Sequence, residues 1–370
     1  AAAARHQAVN LGQGYPDADG PAELLEAAAH ATLRGPNQYA PGSGRPDLRE
    51  AIADHRARLH GVREDPASQI LITTGATEAI TAAVLALVQP GDEVVTVDPF
   101  YDSHAAATGM AGGVHVRVPV HPPHFLPRFE DLEAAFTART RLLILNTPHN
   151  PTGAVYPRPL LGAILAACTQ RGILILTDEV YEHLVYEGEH VTMRALPGAQ
   201  DCVLTASSAG KSFAVTGWKI GWLVGSAALI ARVRAVKQYL SFSSGPAYQE
   251  AVAGFLPRCE TALEQQRERY RAGRDRLSAG LRELGLQPLP SPAGYFTLVD
   301  LRPWGIDNVA AALDELIERA GVAMIPVSAL SARDDGSLDS WARLAYCKDP
   351  EVIDEALRRL QQWRETHAAS

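Results

Sequence analysis

The sequence is poor in cysteine. Cys168, Cys202, Cys259 and Cys347 are the only four in 370 residues, far apart, with no CxxC pair and no Cys/His cluster. That spacing argues against a disulfide framework and a zinc site, so no metal is expected and reduced cytoplasmic thiols are the plain reading. Long apolar runs are also missing. None approaches the roughly 20 residues needed to cross a bilayer, and the opening AAAARHQAVN lacks the apolar stretch of a signal peptide. A cytoplasmic protein with no membrane partner is expected. Nor is there an excess of positive charge: 34 Lys and Arg stand against 42 Asp and Glu, a formal net charge of -8. Nucleic acid therefore has no electrostatic claim as a partner, and small-molecule chemistry fits better.

What is present is an ordinary globular composition, 46% hydrophobic and 21% charged, at a length that favours two domains. From about Gln69 to Val224, short apolar runs alternate with Ala/Leu-rich segments of helical length, the rhythm of parallel βαβ units. Strands are expected at 69–74, 93–98, 140–147, 172–179 and 201–208, and a helix at 78–88 that stops at Pro90 and Gly91. The runs are apolar throughout rather than alternating, as in strands covered by helices on both faces. After about Leu256 a long charged helix leads to strands in GYFTLVDL, GVAMIPVSAL and ARLAYCK and to a closing helix, EVIDEALRRLQQWRE, which together predict a smaller α/β domain. The first 35 or so residues read as loop with one short helix.

Four motifs carry chemistry. TTGATEAI is a strand, a glycine turn and a helix start, where the unpaired N–H groups of Gly75, Ala76 and Thr77 face the positive end of the helix dipole and suit a phosphate. Many α/β turns share that pattern. NTPHNPTG sets Asn150 between prolines, which restrict its backbone for presenting an amide or simply make a tight turn; His149 reads as a loop residue. TDEVYEHL puts Asp178 at the carboxyl end of a buried strand, where open α/β sheets bind ligands, with Tyr181 three residues on. A buried carboxylate needs a cation, which a protonated pyridine nitrogen, an Arg or a Lys would each supply. SSAGKSFAVTGWKIGW sets Lys211 among small residues, where partial desolvation would depress its pKa as a Schiff-base lysine requires, and adds Ser208 and Lys219 for an anion.

GQGYPD, NQYAPGSG, GATEAI, PFYDS, NTPHNPTG, TDEVYEHL, SSAGKSFAVTGWKIGW, AGYF and ARLAYCK follow one another through the chain. In that order they resemble the fold-type I, class I/II pyridoxal-phosphate aminotransferases. The lysine motif and LGQGYPD are most similar to the branch with kynurenine/glutamine and methionine aminotransferases and actinobacterial N-succinyldiaminopimelate aminotransferases. The resemblance implies an α/β fold. A large domain, residues 36–256, would carry a mostly parallel seven-stranded sheet between helices, and residues 1–35 with 257–370 would form the smaller α/β domain.

It also implies a cofactor, pyridoxal 5'-phosphate, and a role for each matching residue. Lys211 would hold the cofactor and shuttle the proton, Asp178 would pair with the pyridine nitrogen, and Asn150 and Tyr181 would bond its phenolic oxygen. Tyr101 would stack on the ring. Ala76, Thr77, Ser208 and Lys219 would hold the phosphate, with Gly75 in the turn, and Tyr39 would reach the phosphate of a neighbouring subunit, which implies a homodimer with active sites at the subunit interface. Arg343 would grip the substrate α-carboxylate, helped by the Gly14 N–H, with Tyr15 beside it. His104 stands where that branch often has an aromatic; it either lines the side-chain pocket or sits partly exposed on a helix. The implied reaction moves an amino group from an L-amino acid to a 2-oxo acid by a ping-pong route. A carbon-sulfur β-lyase, using the same lysine, is the alternative.

Overall fold

The protein, seen in a computed structural model that describes residues 2–367, is an α/β structure with twelve strands among those residues. They are β1 (Val9–Asn10), β2 (Ile70–Thr74), β3 (Glu93–Asp98), β4 (Val114–Pro119), β5 (Thr140–Asn146), β6 (Leu174–Asp178), β7 (Val203–Ser208), β8 (Ile220–Val224), β9 (Phe296–Asp300), β10 (Val322–Ala323), β11 (Ile325–Pro326) and β12 (Trp341–Ala345). Seven of them form one sheet in the order β2-β8-β7-β6-β5-β3-β4, in which only β8 runs against its neighbours. A second, antiparallel sheet has the order β11-β12-β9, and β1 pairs with β10 alone.

The apolar runs become strands because both faces of the sheet are covered. Successive side chains of β5 point to opposite faces. Leu143 and Leu145 pack with Leu161 and Ile164 of the helix Arg158–Arg171, whereas Leu142 and Ile144 pack with Ile80 and Ala83 of the helix Gly75–Leu87. The four β5 side chains are all buried, each contributing about 1.5–3 kcal/mol of transfer free energy.

Several expectations needed correction. The helix predicted at 78–88 starts at Gly75, because the Glu78 carboxylate accepts the Thr74 N–H at 2.6 Å and closes the first turn. The amino-terminal stretch holds two helices rather than one, Ala2–Arg5 and Ala22–Arg34, the second burying Leu24, Ala28 and Ala31 on one face. GVAMIPVSAL is not one strand: β10 pairs with β1, β11 pairs with β12, and Val327–Leu330 turns as a 3-10 helix. Pro326 lacks an N–H for a central ladder, and β11 is accordingly an edge strand. β4 and β8 were not foreseen. The first is a half-exposed edge strand ending in Pro119, and the second begins in the last residues of the lysine motif.

Candidate active site

The carboxyl ends of β3, β5, β6 and β7 come together on one side of the sheet, where α/β folds place ligands. They border a cleft of about 640 Å³, part of it open to solvent, which is lined by Gly75, Ala76, Thr77, Tyr101, Asn150, Asp178, Tyr181, Ser208, Lys211 and Lys219. Every residue expected to contact a cofactor is therefore here except Tyr39. Tyr39 is 84% exposed and its ring meets Phe242 edge-on at 5.4 Å.

At the start of the helix Gly75–Leu87, Gly75 has φ +74°, and a Cβ placed on it would lie 3.1 Å from Lys219 Nζ. The ammonium thus rests against the turn whose N–H groups start the 13-residue helix Gly75–Leu87. Ser208 ends β7 beside them. Asp178 is 4% exposed at the end of β6, with Oδ1 accepting weakly from the Val180 N–H at 3.4 Å. Among the described residues no Arg or Lys forms an ion pair with it; the ring of His104 lies beside it, with Nε2 3.5 Å from Oδ2. Tyr181 packs edge-on against Tyr295 at 5.1 Å, and burial pushes its hydroxyl well above the usual phenol range. Lys211, half-buried, stands with Nζ 5.8 Å from the Tyr295 ring centre.

The second sheet closes the other end. Arg343 on β12 donates from Nη1 to Asn150 Oδ1 and from Nη2 to the Gly12 carbonyl, both at 3.0 Å, and its guanidinium carbon lies 4.0 Å over the Phe296 ring. Its Nε is buried without a hydrogen-bond partner. Burial lowers the Arg343 pKa from its ordinary value, an effect opposed by Tyr181 and Tyr295. The Gly14 carbonyl accepts from Tyr295 Oη at 2.7 Å, and Tyr15, 49% exposed, lies under Lys348 Nζ at 4.3 Å.

The model of the aminotransferases of class I and II matches residues 6–360. The chain belongs to that family. It is a pyridoxal-phosphate-dependent transaminase, and the relatives do not favour the lyase alternative. This aminotransferase is 46% identical over 370 residues to a probable N-succinyldiaminopimelate aminotransferase of Mycobacterium tuberculosis, with 97% of this chain and 93% of the relative covered. It is 41% identical over 366 residues to the methionine aminotransferase of Escherichia coli, covering 98% and 94%. The solved structure of N-succinyldiaminopimelate aminotransferase from Mycobacterium tuberculosis matches with a TM-score of 0.96 at 46% identity, over 98% of this chain and 95% of that one.

The cleft of this aminotransferase fits the cofactor by its donor set. A cation and free helix N–H groups suit a phosphate, a buried carboxylate with no Arg or Lys partner among the described residues suits a pyridinium nitrogen, and a second, half-buried primary amine, Lys211, lines the same cleft. Sequence reasoning missed Asn146, whose Nδ2 donates to the Asp178 carbonyl at 2.8 Å while its Oδ1 accepts the Asn150 N–H at 2.6 Å. A polar residue ending the apolar run TRLLILN was the available signal. His104 is neither partly exposed nor in the cleft lining: at 2% exposure it is buried beside Asp178, its ring perpendicular to Tyr101 at 5.7 Å. His149 is a buried loop residue bonded through Nδ1 to Thr152 Oγ1 at 2.7 Å.

Proposed function

We propose that Lys211 carries the pyridoxal 5'-phosphate and moves the proton at the substrate α-carbon, and that Asp178 faces the pyridine nitrogen. When bound, the cofactor supplies a carbonyl that captures the amino group and a ring that accepts electrons. Asp178 keeps that ring protonated; the observation that carries the assignment is a buried carboxylate with no Arg or Lys partner, in the same cleft as the one half-buried amine and the Gly75/Lys219 turn. Asn150 and Tyr181 hold the phenolic oxygen, Tyr101 covers one ring face, and Ala76, Thr77, Ser208 and Lys219 hold the phosphate. Lys211 would do general acid and base work by its placement in the cleft.

Arg343 takes the substrate carboxylate as a planar fork, with the Gly14 N–H beside it and Tyr15 at the mouth. Its bonds to Asn150 and Gly12 hold the fork in place beforehand. Arg343 accounts for the α-carboxylate and no second arginine is assigned to a distal acid group, which disfavours an obligate aspartate donor. The named relatives act on different donors, N-succinyldiaminopimelate and methionine among them, so the donor is left to experiment.

The proposal includes a homodimer in which Tyr39 reaches the phosphate of the neighbouring subunit. The exposed aromatic face of Tyr39, Tyr239, Phe242 and Tyr248 supports it. It also includes the division into residues 36–256 and 1–35 with 257–370, and a reducing, cytoplasmic setting that suits four free cysteines. The test is borohydride reduction of the holoenzyme followed by peptide mass analysis, with an adduct expected on Lys211. Adduct on another lysine, or none, refutes the assignment. A spectroscopic screen of amino donors, read by loss of the cofactor's bound-lysine band, then ranks substrates.

A further inference from the structure

Lys211 rides on a helix of a single turn, Ala209–Ser212. One turn has no stability of its own, so the place of its amine depends on what grips the turn from outside. One grip is Gln266 Nε2, which donates to the Lys211 carbonyl at 2.9 Å. The other reaches to the helix Pro46–His60. Ser212 Oγ lies 2.8 Å from His183 Nδ1, His183 Nε2 lies 2.8 Å from His55 Nε2, and His55 Nδ1 faces Cys259 Sγ at 3.8 Å. All four side chains are buried.

The direction of this chain is set by where the Ser212 hydroxyl proton goes. Ser212 Oγ also lies 3.2 Å from the Ser208 carbonyl, which only accepts; with the single hydroxyl proton assigned there, the rest of the chain follows. His183 Nδ1 must then donate to Ser212, which leaves His183 Nε2 as an acceptor and His55 Nε2 as its donor. His55 Nδ1 in turn accepts from the Cys259 thiol. Each imidazole carries one proton, in agreement with burial lowering His183 to about 4 and His55 to about 3. The chain ends on the carbonyl of Ser208, one residue before the turn that holds Lys211. The neighbouring residue of the same loop, Glu182, engages Ser207 and His60 instead, and so anchors β7 rather than the turn.

We propose that His183, held by His55, is a positioning residue for Lys211: through Ser212 it fixes the single-turn helix so that the ε-amine stands at the cofactor. The proposal rests on Lys211 being the cofactor lysine. Displacing a reacting amine by a fraction of an ångström to about 1 Å costs up to about a hundredfold in rate, while the phosphate and carboxylate grips stay intact. The expected signature of His183→Phe is thus a kcat lowered about tenfold or more with KM for the amino donor little changed. The pH midpoint of the cofactor absorption band should move as well, because the amine's surroundings change.

His183→Asn is the discriminating rescue, since its amide N–H lies near the lost Nδ1–H and can still donate to Ser212. It should recover most of the kcat and the band midpoint, although it breaks the bond to His55. Nitrogen-15 histidine NMR of the holoenzyme should show His183 protonated at Nδ1 and bare at Nε2. A folded His183→Phe enzyme with wild-type kcat and band midpoint, or a His183 protonated at Nε2, overturns the proposal. Where His183→Phe does not fold, His55→Leu holoenzyme takes its place: a smaller loss of the same kind is expected, and unchanged kcat and band overturn the proposal. Borohydride adduct on Lys211 in the wild type, together with an unaffected variant, sinks the positioning role alone. Absence of that adduct in the wild type sinks the assignment of Lys211 and this proposal with it.

Discussion

The two ends of the cleft are built in different ways. At the cofactor end, each group sits at or within a few residues of a strand end in one sheet: Asp178 on β6, Ser208 on β7, Asn150 four residues past β5 and Lys211 three residues past β7. At the substrate end the contacts span the chain, from Arg343 to Gly12 across 331 positions, from Arg343 to Asn150 across 193, and from Tyr295 to Gly14 across 281. A sheet buried on both faces holds side chains rigidly. A junction between a second sheet and an amino-terminal loop holds them only as long as that docking persists. Chemistry should therefore be most sensitive at the first end and binding at the second.

Lys211→Ala should produce the largest effect, a loss of turnover of about 10⁴-fold or more, because placement and proton transfer vanish together. Steady multiple turnover by that variant would break the comparison outright. Asp178→Ala should lower kcat by about a hundredfold to a thousandfold with donor KM nearly constant, since it removes a preorganised charge rather than a substrate contact. A change confined to KM would place the pyridine ring elsewhere.

Arg343→Lys should show the opposite split. A point charge cannot replace a fork, so donor KM should rise about tenfold and kcat should fall less, as seen in steady-state kinetics. Equal losses in both would mean that the two ends are mechanically one. The mildest effect is on stability with pH. Burial holds His149 at about 3 and His115 at about 4, below the ordinary 6.5, so the unfolded chain takes up protons first as the pH falls. The stability is fully present above pH 6.5 and is lost progressively as the pH falls toward about 4. The melting temperature should drop over that window, and a pH-independent Tm there would show that these rings are not held neutral.

The cofactor end was legible because its signals are local. The glycine turn at Gly75, the strand-end acid Asp178 and the small residues round Lys211 each lie within a few positions of an apolar run. His104 was misjudged for a complementary reason: helical position alone does not tell that the helix Asp102–Met110 turns that ring toward Asp178. The split of the predicted strand GVAMIPVSAL into β10 and β11 escaped because two residues carry no periodicity. β8 escaped because the lysine motif masked it.

Composition and local pattern determined the α/β class, the five parallel strands' apolar character and the order of the groups that line the cleft. They do so because burial on both faces and helix-start geometry leave marks within one turn or one strand. Tertiary structure decided what meets across hundreds of positions. Arg343 finds Asn150 and Gly12, Lys219 backs Gly75, and His55 reaches His183 and so the turn of Lys211. Such pairs follow from how sheets and helices pack, and packing partners are chosen by shape in three dimensions rather than by spacing along the chain.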